Sequence, residues 1–114
     1  MSDHRELFVC ILNDPTAVED VLAGFLEIGV TGSTIIDTKG MGKVISQDIP
    51  IFAGFKNLFA GARESNVTIF SVMATDLVDD AIRIVEEVHR SLEEPSSGIV
   101  FTLPVSRVKG IGGG

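Results

Sequence analysis

Leu7-Phe-Val-Cys-Ile-Leu12, then Asn13-Asp14-Pro15, then Thr16-Ala-Val-Glu19 is the stretch on which the fold turns. Six apolar residues in succession suit a buried strand and are too few for a helix. Asn-Asp-Pro ends the run. The Thr16–Glu19 spacing predicts a capping box, in which the threonine oxygen accepts from the Glu19 N–H and the glutamate reaches back. Val18, Val21, Leu22, Phe25 and Leu26 then recur at steps of three and four, with Glu19, Asp20 and Glu27 mostly elsewhere. That pattern is an amphipathic helix, stopped at Gly29.

The same alternation recurs downstream. Ser33–Thr38 is β-branched and reads as a second strand, Val67–Met73 as a third and Gly98–Val105 as a fourth. Asp76 is placed to cap a second helix, whose stripe is Leu77, Val78, Ala81, Ile82, Val85 and Val88. Pro104 cannot donate to a ladder, so it belongs at a strand end or on an edge strand. The order is β-α-β, a long connection, then β-α-β. It predicts an α+β, ferredoxin-like βαββαβ domain: a four-stranded antiparallel sheet with two helices on one face. The other face would stay bare in a lone chain. Continuous apolar strands need both faces covered, so an oligomer is expected, a homotrimer being the common closure of this duplicated fold.

Composition narrows the function. The 114 residues make one domain, 45% apolar, with a formal net charge of −7. Such a charge repels phosphate backbones, and the nine basic residues are scattered with no Trp or Tyr for stacking, so no nucleic-acid role is expected. No run approaches the roughly 18 apolar residues of a membrane span, and no membrane insertion is expected. The opening Met1–Leu7 lacks an apolar signal-like region, and the single Cys10 suits a reducing compartment; the expected location is cytoplasmic.

The 28 residues from Lys39 to Asn66 exceed ordinary loop length, and loops of that size usually carry function. They open on Lys39-Gly40-Met-Gly42-Lys43-Val44, glycines one residue apart between lysines. Further along, Phe52, Phe55 and Phe59 fall at helical steps. Those rings either tuck onto the body or a neighbouring copy, or present an apolar face to a partner protein.

Gly29-Val-Thr-Gly32-Ser-Thr34-Ile, followed by Lys39-Gly-Met-Gly42-Lys43 and, far along, Val105-Ser-Arg107-Val108, resembles the PII signalling family. Its first unit ends G-I/V-x-G-x-T-V, leads into K-G-x-G-R at the root of a long T-loop, and its last closes V-A-R-V. The resemblance covers nearly the whole chain: residues 1–111 as one PII-like domain with a T-loop-like connection at 39–66, and 112–114 as a glycine tail. It implies a non-enzymatic signal-transduction trimer that binds adenine nucleotide (ATP, ADP or AMP) between subunits. Its T-loop would engage a client membrane transporter or metabolic enzyme. Nitrogen control, carbon uptake and ion transport are all regulated by such relatives. By position, the resemblance assigns Thr34, Gly40, Gly42, Lys43 and Gly98 to the nucleotide cleft.

Several positions depart from the family. Lys43 replaces an arginine, keeping the charge without the planar fork. Val44 stands where a switch glutamine is expected. Pro95-Ser-Ser-Gly98-Ile99 replaces G-D-G-K, so isoleucine stands for a phosphate-meeting lysine, and two terminal arginines become Gly110 and Gly112. Charge-assisted bonds of this kind contribute roughly 1.5–3 kcal/mol each, so a triphosphate site is weakened by orders of magnitude. Control by tyrosine uridylylation is excluded, as the chain has no Tyr.

Other chemistry-bearing residues read structurally. Cys10 sits among apolar neighbours as an inert thiol, and His89 near a helix end has no ligand-spaced partner. Asp79-Asp80 and Glu86-Glu87 form a solvated helix face. Ser96-Ser97-Gly98 is a turn or an anion nest. Two alternatives to the nucleotide-responsive regulator remain open: a nucleotide-free scaffold trimer, and a CutA-type metal-responsive trimer, which lacks a cysteine–histidine cluster here.

Overall fold

The structure, a computed structural model, describes residues 4–45, 66–92 and 98–110. Four strands, β1 (Arg5–Leu12), β2 (Thr34–Thr38), β3 (Asn66–Ala74) and β4 (Gly98–Val105), form one sheet in the order β2-β3-β1-β4. Every neighbouring pair is antiparallel. Helix α1 (Val18–Glu27) connects β1 to β2, and α3 (Val78–Ser91) connects β3 to β4. A single helical turn, α2 (Met41–Lys43), follows β2. This is the expected ferredoxin-like arrangement, and Pro104 lies next to the end of an edge strand.

Register partners share a face of the sheet, and period two sorts the core. Phe8, Cys10 and Leu12 pair with Ser71, Ile69 and Val67, and all six are buried. Val21 and Phe25 of α1 and Val78, Ala81 and Val85 of α3 close over them. Phe8 and Phe25 meet edge to face, with centroids 5.5 Å apart and planes at 83°, the geometry favoured by the ring quadrupoles. Among the described residues no helix lies on the opposite face. There Ile36, Val72, Ile99, Phe101 and Leu103 are between 42% and 55% exposed, while Val9 on the central strand β1 is buried.

The ends of α1 show one expectation met and one corrected. Gly29 takes φ +93°, and two bonds close the helix: Gly29 N–H to Leu26 O and Val30 N–H to Phe25 O. This is a Schellman stop, with the buried pair Val30 and Phe25 as its apolar contact. At the other end, the capping box does not form as expected. Asp14 is the cap, its Oδ1 accepting from both the N–H and the hydroxyl of Thr16 at 3.0 and 2.6 Å. A 3-10 turn, Pro15–Ala17, then leads into α1. Proline at the first helical position lets the chain begin to wind one turn early. Asp76 likewise lies inside a 3-10 turn, Thr75–Leu77, rather than capping α3.

The two helices touch through Gly24. A Cβ there would stand 2.6 Å from Ile84 Cγ2 and 3.3 Å from two further atoms of that side chain. Ile84 lies off the expected stripe and is half-buried against α1. Gly24→Ala gains about 1 kcal/mol of helix propensity but overpacks a β-branched neighbour, which costs about 1–3 kcal/mol. We expect chemical denaturation to show a net loss of stability in Gly24→Ala. In an Ile84→Ala background the same change should become neutral or stabilising.

Candidate functional site

The candidate site grows from the end of β2. Thr34 opens that strand, exposed and on the uncovered face, opposite Phe70. Thr38 closes it opposite Asn66. The chain then passes through Gly40, whose backbone is ordinary extended (φ −80°, ψ 161°), into the α2 turn containing Gly42 and Lys43. Val44 N–H closes the turn on Gly40 O at 3.2 Å. Gly40 is thus used for space, since a Cβ there would come 3.2 Å from Asn66 Nδ2.

Gly98 sits elsewhere. It opens β4 opposite Leu12, and a Cβ would fall 2.8 Å from the Ile11 carbonyl oxygen. Its lack of a side chain therefore has a packing cause. Thr38, Asn66, Leu12 and Gly98 all lie at the same end of the sheet. Between β2 and β4, however, stand β3 and β1, three strand spacings or roughly 14 Å. Gly40, Gly42 and Lys43 are brought together; Gly98 is not brought to them within one chain. Thr34 is four residues up the strand, about 13 Å from Thr38.

Phe52, Phe55 and Phe59 lie outside the described residues, as do Ser96, Ser97 and Gly112. A cluster that the sequence did not signal lies at the loop root. The Thr38 hydroxyl bonds to Asn66 Oδ1 and lies 2.9 Å from the Thr68 hydroxyl. A crevice between α3 and the start of β4 is lined by Val85, His89 and Gly98, among others.

Cys10 is fully buried, and burial pushes its thiol up from 9.0 to about 12. Arg83 pairs with Asp80 at 2.9 Å on the exposed face of α3, in keeping with a solvated surface. Among the described residues no group of three His, Cys, Asp or Glu could hold a metal ion, and no helix is long and apolar enough to cross a membrane.

The family profile described as nitrogen regulatory protein P-II matches residues 7–114, and the chain belongs to that family. No curated protein matches significantly. Among solved structures, PII of Arabidopsis thaliana bound to citrate superposes with a TM-score of 0.64 at 23% identity. The match covers 90% of this chain and 78% of that one. A functionally unknown protein from Pediococcus pentosaceus superposes at 0.66 with 15% identity, covering 96% and 100%. At these identities the likeness concerns the fold.

The thiolate is the reactive form, so a raised pKa makes Cys10 inert. Native protein at pH 8 should react with a thiol reagent at least about a hundredfold more slowly than denaturant-unfolded protein. The sign with pH follows. Below 9.0, the ordinary value, both states hold the proton. Between 9.0 and about 12 only the unfolded chain releases it, so folding stability should fall across that window.

Proposed function

We propose that this P-II family member is a non-enzymatic signal-transduction regulator. It works as a homotrimer whose connection from 39 to 66 docks on a client transporter or metabolic enzyme, under the control of a small effector held between subunits. The observation that carries this reading is the division of the candidate site: loop root and Gly98 lie at one end of the sheet but on opposite edges. Only a neighbouring copy can set one edge beside the other. The uncovered apolar face supplies the reason for copies to associate. An effector in the seam changes the loop's shape only to the extent that it binds one loop state better than another.

Adenine nucleotide is the first effector to test, with Thr34, Gly40, Gly42 and Lys43 from one subunit and Gly98 from the next. A second reading is favoured by Ile99, Gly110 and Gly112, which leave that seam short of phosphate partners. Here the trimer carries no nucleotide and serves as a scaffold through Phe52, Phe55 and Phe59. In either case the client sets the pathway, nitrogen control included, and the work is done in the cytoplasm.

Light scattering should give the mass of three 12.2 kDa chains; a stable single chain would end both readings. ATP, ADP or AMP at a hundred times its dissociation constant should stabilise the trimer by about 2.7 kcal/mol, seen as a rise in Tm. No rise with any of the three at millimolar concentration leaves only the scaffold. Phe52→Ser with Phe55→Ser should leave the trimer intact and abolish client capture; dissociation of the trimer would instead make those rings part of its packing.

A further inference from the structure

The uncovered sheet face carries a cluster of polar side chains at the corner where the long connection departs. Thr38 is the last residue of β2, Asn66 the first of β3, and Thr68 follows two residues on, so all three share that face. A hydroxyl carries one proton. The Thr38 hydroxyl donates to Asn66 Oδ1, so in the 2.9 Å contact Thr68 is the donor and Thr38 the acceptor. The result is a directed chain, Thr68 to Thr38 to Asn66. The far end of Asn66, its Nδ2, lies against Gly40, where a Cβ would come within 3.2 Å. Gly40 in turn accepts the bond that closes the α2 turn. Both stems of the connection are therefore joined by side chains at the last rung of the backbone ladder.

We infer that this chain is a clasp: Thr38 and Asn66 are positioning residues that fix the point where the long connection starts to bend and seat the Gly40–Val44 turn. Thr68 is buried and its two partners are half-buried, so water competes weakly for these bonds. The sheet offers few substitutes, because the neighbouring residues on this face, Ile36, Phe70 and Ile11, are apolar. The root of the connection is then held through Val44, and β2 and β3 are left undisturbed, keeping the surface that meets a second copy constant while the loop changes. This rests on the reading of the long connection as the docking element, but the clasp is testable on the trimer without client or effector.

Thr38→Val keeps the shape and removes the hydroxyl; Thr38→Ser keeps the hydroxyl. The measurement is backbone amide order parameters by NMR. In wild type and Thr38→Ser, Gly40–Val44 should be rigid at about 0.85; in Thr38→Val they should fall below about 0.6, with β1 and β3 unchanged in all three. Should Thr38→Val fail to fold, Asn66→Ala removes the acceptor and the group over Gly40, and should loosen the same turn. A lowered Tm with the turn still rigid would overturn the clasp, reducing these bonds to general stability. So would a wild-type turn already below about 0.6, or loosening that spreads through β1 and β3. Nucleotide binding and client capture do not enter this readout, so their failure and that of the clasp are told apart.

Discussion

Two helices of ten and fourteen residues cover one face of a four-stranded sheet, and nothing in the described chain covers the other. Most of the architecture follows from that imbalance. The covered face holds Phe8, Phe25 and Ile69, each almost wholly out of water, and lets α1 and α3 approach until Gly24 meets Ile84. The uncovered face keeps large apolar side chains half in water, at roughly 25 cal/mol for each square ångström left exposed. In the trimer proposed above, burial of this face between copies would remove that cost, which makes the sheet face rather than the helix layer the surface to expect at a subunit contact.

Much of this was legible in the sequence because the relevant signals are local. Strand β4 has the expected bounds, and the stop at Gly29 was readable because a glycine after an apolar stripe is where a left-handed cap fits. The start of α1 was not readable. Asp14 and Thr16 both carry capping oxygens, and a proline between them lets the earlier one win. Ile84 stands off the stripe of α3 and is recruited only because α1 presents a glycine to it. Thr38, Asn66 and Thr68 lie on either side of the long connection, so no window of sequence could have joined them.

The candidate site was legible in its parts and not in its assembly. The motifs named the loop root and Gly98, yet strand order places them on opposite edges. Gly98 also has a reason to be glycine that concerns no ligand, the nearness of the Ile11 carbonyl. A glycine in a binding motif can therefore be retained for packing, and its presence alone is weak support for phosphate recognition. At the positions that the resemblance aligns with phosphate-meeting cations, this chain has Ile99, Gly110 and Gly112.

Among the described residues the sheet order leaves β2 and β4 as outer strands, each with one row of backbone groups turned away from its neighbour. Such rows are templates for runaway strand addition, the first step toward fibrils. Both are blunted. β2 spans five residues, too short to seed a long register. β4 carries Pro104, which supplies no donor and spoils the template near its end. A chain with one oily side open can thus still resist stacking edge to edge into a runaway polymer.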